Sequence, residues 1–203
     1  MKKLKMVFLV AVISCMLVFA VSQEQDWFDF SVGISFALRD GSLGALKDIK
    51  DFSAKDLKFG LEARTKLLFL EFDISGNLSA TDKNDLKFSG LMVAGISEDL
   101  FGVARLGLCL GPVIDYVHDG QRGTLIIDGS PISEVSFSDA LNKSHFHLRG
   151  TLDFLLGPVI KLGAAVSVPT DFTLEKHDLN SLLPTKERFA DSSFSLVIQM
   201  TLI

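Results

Sequence analysis

Phe28-Asp29-Phe30-Ser31-Val32-Gly33-Ile34-Ser35-Phe36-Ala37-Leu38 sets a large apolar residue at every even position and a small or polar one between. Successive side chains of a strand point to opposite faces, so this stretch is a strand with one oily and one polar face.

Seven further series repeat the pattern. Their oily members are Leu57, Phe59, Leu61 and Ala63; Leu68, Leu70, Phe72 and Ile74; Leu86, Phe88, Gly90, Met92, Ala94 and Ile96; then Gly102, Ala104, Leu106, Leu108, Leu110, Pro112, Ile114 and Tyr116. They continue with Phe146, Leu148, Gly150, Leu152, Phe154 and Leu156; Ile160, Leu162, Ala164, Val166 and Val168; and Phe194, Leu196, Ile198, Met200 and Leu202. Apart from Tyr116, none bears a charge, an amide or a hydroxyl, in a chain that is 22% charged. The period of two predicts eight two-sided strands.

The opposite faces are rich in Gly, Ser and Ala. They carry the acids Asp29, Glu62, Glu71, Asp73, Asp115 and Asp153, and the bases Arg39, Lys58, Arg64, Lys87, Arg105, Arg149 and Lys161. A water-facing sheet surface would hold long Lys and Glu chains and few glycines. Small residues with balanced charges fit the crowded lumen of a barrel, and these residues form its expected charge network.

Connections supply the topology. Strands one and two are separated by Asp40 to Ala54, and strands two and three are joined near Arg64-Thr65-Lys66. Asn77 to Asp85, the tight Ser97-Glu98-Asp99-Leu100, the long Val117 to Ser144, Gly157-Pro158 and the long Pro169 to Ser193 follow. Long and short connections alternate, as in an up-and-down barrel with tight turns at one rim and extended loops at the other. Pro112 falls within strand five, where it removes a ladder donor, so a bulge or a position above the membrane is expected there. The near-repeat of Leu110-Gly111-Pro112-Val113-Ile114 by Leu156-Gly157-Pro158-Val159-Ile160 leaves open that both are turns. Thr124 to Asp128 would then add a strand, and ten strands rather than eight would result.

The amino terminus has a different grammar. Lys2, Lys3 and Lys5 precede an apolar run from Met6 to Val21, closed by Ala20-Val21-Ser22. That order reads as a secretory signal peptide over residues 1–22, leaving residues 23–203 as the barrel domain. Its removal leaves 17 basic and 25 acidic residues, a net charge of −8. One cysteine, Cys109, then remains, which excludes an intrachain disulfide. The acidic balance carries no footprint for nucleic acid, and an apolar fraction of 48% over 203 residues excludes a disordered chain.

A strand oily on one face buries that face in a soluble core or in lipid. The soluble alternative is a lipocalin-like periplasmic binder, a cup oily inside and polar outside. In lipid every backbone group must be paired, which demands a closed barrel. The small, charge-balanced polar faces and the export signal favour lipid. From Trp27 to Ile203 the pattern resembles the small eight-stranded outer-membrane barrels of bacteria, the OmpA/OmpX/OmpW-like group. That resemblance implies an all-β, eight-stranded antiparallel up-and-down transmembrane barrel in the bacterial outer membrane. It also implies long loops outside and tight turns in the periplasm.

Candidate chemistry is sparse. His145 and His147 alternate onto the lumen side near the loop rim, where Asp115 on the neighbouring strand could complete a cluster. A transition metal needs three or four such ligands, so a hydrogen-bonded rim is the plainer expectation, with no metal and no cofactor. Some members of the resembling group are lipid-modifying enzymes with a His and a Ser on the barrel. Here Ser144 and His145 point to opposite faces, and nothing reads as an activated nucleophile. Paired lumen charges would plug the barrel; offset rings of unlike charge would instead make a small solute pore. The leading expectation is a structural or surface-interaction protein in contact with outer-membrane lipid, whose loops 117–144 and 169–193 meet an extracellular partner.

Overall fold

The computed structural model describes residues 27–38, 57–80, 86–118, 123–127, 130–133 and 136–202. The signal segment and Arg39 lie outside the described residues, as does the Lys87 side chain. In chain order the strands are β1 (Phe28–Leu38), β2 (Leu57–Leu67), β3 (Leu70–Ala80), β4 (Leu86–Leu100), β5 (Ala104–His118), β6 (Gly123–Ile127), β7 (Ser130–Ser133), β8 (Phe146–Leu156), β9 (Ile160–Pro169) and β10 (Ser193–Thr201). A short helix, α1 (Phe137–Lys143), precedes β8, and two 3-10 turns, Leu179–Leu182 and Arg188–Asp191, lie between β9 and β10.

Eight of these strands close on themselves. β1 pairs with β2 and with β10, β4 with β5 and β5 with β8, every neighbour antiparallel. β6 and β7 form a hairpin on the outer end of β5 and take no place in the closed wall. Thr124 to Ile127 is thus extended, as one reading had it, with Asp128 outside the described residues, yet the barrel has eight strands.

Register fixes the shape. Paired residues followed once round, from Phe28 through Leu67, Leu70, Ile96, Leu108, Gly150, Val166 and Phe194, return to β1 at residue 38, a stagger of ten. Eight strands about 4.8 Å apart with that stagger tilt roughly 40° and enclose a backbone radius of about 8 Å. An 11-residue strand such as β1 then stands about 28 Å tall, close to the thickness of a bilayer's hydrocarbon core.

Exposure is inverted relative to a soluble protein. Outward-facing Leu61 is 69% exposed and Ile74 58%, while inward-facing Arg64 is 1% exposed and Glu71, Asp73 and Asp153 are fully buried. The lipocalin-like alternative is therefore wrong: the oily faces form the outside and the charges fill the inside. Such a wall in water would expose an apolar surface far larger than soluble monomers tolerate, whereas lipid covers it and the closed ladder leaves no bare edge.

Aromatic residues mark both ends of the oily band. Phe36, Phe59, Leu78, Phe88 and Tyr116 occupy one continuous row of cross-strand partners near the loop rim. Phe36 and Phe59 meet edge-to-face at 5.5 Å. At the other rim Trp27, Phe69 and Phe101 are exposed. These are the levels of the two membrane–water interfaces.

The tight turns sit elsewhere than the composition suggested. β2 and β3 meet through Leu68-Phe69, so Arg64-Thr65-Lys66 lies inside β2. β4 and β5 meet through Phe101-Gly102-Val103, so Ser97-Glu98-Asp99-Leu100 ends a strand instead of turning. Gly157-Pro158 is a turn, but Leu110 to Ile114 runs straight through β5. Gly102 at φ +67° and Gly157 at φ +76° adopt the left-handed backbone that a glycine enters freely. Leu68 adopts it too, at φ 58°, without that freedom. Leu68→Asn, which tolerates this conformation, should therefore raise stability by about 1 kcal/mol. Urea midpoints in micelles measure this, and a lowered midpoint would show that lipid contact of the leucine outweighs its backbone strain.

Pro112 makes no bulge. The β4–β5 pairs run to Leu91–Val113 and resume at Ala94–Leu110 in the same register, so no residue is inserted. The ladder simply lacks the rungs at the proline, which has no N–H to give.

Candidate functional site: the lumen and the outer rim

The inward side chains form two charged layers. Nearest the tight-turn rim, Asp29 accepts from Lys161 Nζ at 2.6 Å and pairs with Arg105 Nη2 at 3.0 Å. Arg105 also holds Asp99, to which Lys66 adds its ammonium. The central layer is built on two guanidinium groups. Arg64 donates to Glu62 Oε1 at 2.6 Å and to Asp153, and lies 3.6 Å from Glu71 and 3.7 Å from Asp73. Arg149 reaches Glu62 Oε2 at 2.7 Å and Asp73 Oδ2 at 2.8 Å. Gln199 Nε2 donates to Glu62 Oε1 at 3.4 Å.

Among the described residues these layers hold six carboxylates and five cationic side chains. A charge buried this deeply is stable only while paired, because desolvation costs several kcal/mol per ion. Each bidentate arginine therefore holds several strands at once: Arg64 ties β2 to β3 and β8, and Arg149 ties β8 to β2 and β3. Beyond the charges, toward the loop rim, Leu91, Val93 and Cys109 form a small apolar cluster against Val113. Above the salt bridges the β4–β5 wall is thus aliphatic, while the wall of β1 and β3 is polar, with Ser35 Oγ donating to Asn77 Oδ1 at 2.9 Å.

Of the thirteen lumen charges named from sequence, nine meet in these layers: Asp29, Glu62, Arg64, Glu71, Asp73, Arg105, Arg149, Asp153 and Lys161. Lys58 and Asp115 stand nearer the loop rim, and Asp115 pairs across to Ser89 and to Ile126 of the hairpin. Lys66, Asp99 and Gln199 were missed. Lys66 continues the inward series of β2, and Asp99 that of β4, beyond where the misplaced turns had ended those strands.

At the loop rim His147 lies opposite Gly111 and Pro169, while Asp115 lies beyond the last β5–β8 rung. Among the described residues no group of three or more His, Cys, Asp or Glu side chains is arranged to hold a metal ion. Ser144 is buried, and its hydroxyl donates to the Ala140 carbonyl at 2.6 Å, completing the end of α1.

The segment between β9 and β10 is a built platform. The Thr170 amide and hydroxyl both donate to the Phe146 carbonyl, and the Phe146 amide donates to Phe172. The rings of Phe146 and Phe172 meet edge-to-face at 5.0 Å. The Glu175 amide reaches the Asn142 carbonyl of α1, and Arg188 Nε bonds Asp171 at 2.8 Å. Asp178 caps the first 3-10 turn; the backbone and side-chain N–H groups of Asn180 hold its carboxyl below the usual range. That cap is present above the ordinary carboxylate range and is lost as acid protonates it.

No family model matches the chain, and no curated protein matches it. Among solved structures it is similar to Neisserial surface protein A, at 12% identity over 87% of this chain and 96% of that one, with a TM-score of 0.39. It is also similar to Ail, the attachment invasion locus protein of Yersinia pestis, at 8% identity over 86% and 95%, with a TM-score of 0.41. That structure holds the heparin analogue sucrose octasulfate. The likeness is one of fold. The architecture itself stands on the closed ladder and inverted exposure of this chain.

Proposed function

We propose that the chain is an exported bacterial outer-membrane protein whose barrel is a rigid base and whose outer loops contact a partner outside the cell. Residues 1–22 serve as the leader and residues 23–203 as the mature barrel. The observation that carries this reading is the filled lumen. A conduit for solutes needs a bore lined by solvated groups, whereas here the central charges are buried against one another, with Leu91, Val93 and Cys109 packed on the β4–β5 wall beside them. What remains available for contact is the loop rim. Leu179, Leu183 and Phe189 are exposed there, on a segment fixed by its hydrogen bonds to β8 and α1. Apolar side chains displayed on a tied-down loop suit the recognition of another surface.

The purified protein should give no channel steps in planar bilayers. Replacing residues 174–190 with a short Gly-Ser linker should leave the difference in gel mobility between unheated and boiled samples intact. Steady unit conductance would instead restore the solute-conduit reading. A lipid-modifying activity would show as altered membrane lipids that revert in the His145→Ala and His147→Ala variants; unchanged lipids are expected.

A further inference from the structure

Among the described residues the tight-turn rim shows water nothing polar. Its three turns are Leu68-Phe69, Phe101-Gly102-Val103 and Gly157-Pro158-Val159, without one charged, amide or hydroxyl side chain. Phe101 is 79% exposed, and Trp27, beside the first turn, 68%. The charges nearest this rim are covered: Asp29, Lys66, Glu98, Arg105 and Lys161 are buried, and the Asp99 side chain is 12% exposed. Turns that stand in water draw instead on Asn, Asp, Ser and Gly.

The backbone of the rim is paired like the wall above it. The Trp27 carbonyl accepts from the Leu68 amide at 2.6 Å, and the Phe69 carbonyl from the Ser97 amide at 2.8 Å. Across the barrel the Val103 carbonyl accepts from Leu155 at 2.9 Å, and the Val159 carbonyl from Thr201 at 2.7 Å. Each turn thus gives a carbonyl to the neighbouring strand, and the ladder runs on through the turns. Water would satisfy such carbonyls unaided; hydrocarbon cannot. Phe101 is a third sign. It holds φ 53° ahead of Gly102 at φ +67°, a left-handed pair for which Asn-Gly is the usual choice. A bulky residue is strained there, and a ring so exposed gains little packing within the chain to offset it.

A crown that is apolar, backbone-paired and continuous with the lipid-facing wall suits one occupant, the bilayer. We propose that this rim is a lipid-docking surface whose turn tips are buried at the boundary of headgroups and acyl chains, with no part of the turns in the aqueous phase. The inference rests on the barrel spanning a membrane and is independent of any loop partner.

Trp27 is the single tryptophan, so the unaltered protein carries its own probe. The purified protein is reconstituted in vesicles, where a retained difference in gel mobility between unheated and boiled samples shows that it is folded. Bromine carried near the glycerol end of the acyl chains should quench most of the Trp27 emission. Iodide on both sides of the membrane should leave it nearly unchanged. Phe101→Trp in a Trp27→Phe background moves the probe across the barrel, clear of the amino terminus, and should behave alike. Phe189→Trp in the same background, on the loop platform, should show the reverse. Iodide quenching at either rim position would overturn the proposal by placing the turns in water. Protection from iodide without bromine quenching would also overturn it, by placing protein on the rim, such as a second copy.

Discussion

Arg64→Met should cost the barrel about 3–5 kcal/mol, enough to abolish refolding in mild detergent. Arg64 touches Glu62, Glu71, Asp73 and Asp153; without it Arg149 still reaches Glu62 and Asp73, while Glu71 and Asp153 lose their guanidinium partner. The loss comes mostly from stranded acids, so it can be tested by relieving them. Adding Asp153→Asn to Arg64→Met should return part of the stability, although each change alone lowers it. Arg64→Lys keeps the charge but loses the planar fork that serves several acids at once, and should fall between. Urea midpoints of the four proteins measure the effect. A native midpoint for Arg64→Met would mean that the central layer repacks around Arg149 alone.

Leu61→Arg tests the other surface. Leu61 faces outward near the middle of β2, opposite Ile34 on β1, and is 69% exposed. In a soluble protein a charge at such a position changes stability by less than about 0.5 kcal/mol. At the mid-plane of a bilayer it should cost about 2–4 kcal/mol, falling toward 0–1 for Leu67→Arg at the rim. Refolding into vesicles and comparing the two variants reads this gradient. Equal, small effects at both positions would remove the lipid from the account.

Much of this architecture was legible because lipid leaves a simple imprint: one face of each strand excludes charge across the lipid-facing band, and only at the tight-turn end of β4 does an acid, Glu98, fall in that series. The turns were less legible, for the same reason. Leu68-Phe69 reads as strand because a turn at the membrane interface is free to be apolar, and Leu68 adopts its left-handed backbone with no glycine to announce it. Ser97-Glu98-Asp99 reads as a turn because a polar triplet usually is one, yet Asp99 faces inward to pair with Lys66 and Arg105. Each misplaced turn hid one member of the lower charged layer. Leu91 and Val93 were overlooked differently: they are apolar residues on a polar face, and their role emerges only once β5 brings Cys109 and Val113 beside them. The partners of each charge depend on the ten-residue stagger, which the strand pattern alone does not specify.

The closing seam has a consequence for how the chain reaches this state. Ser31 pairs with Thr201, 170 positions later, and seven such rungs join β1 to β10. None can form until the whole chain has arrived, so the contact order is high and the nucleus must gather the two ends against a large loop-closure entropy. Until that moment the sheet has two raw edges, both able to template pairing with another copy. The vulnerability of this protein is therefore kinetic. Its hazard is measured by the lag between synthesis and ring closure, the interval in which both edges stay bare.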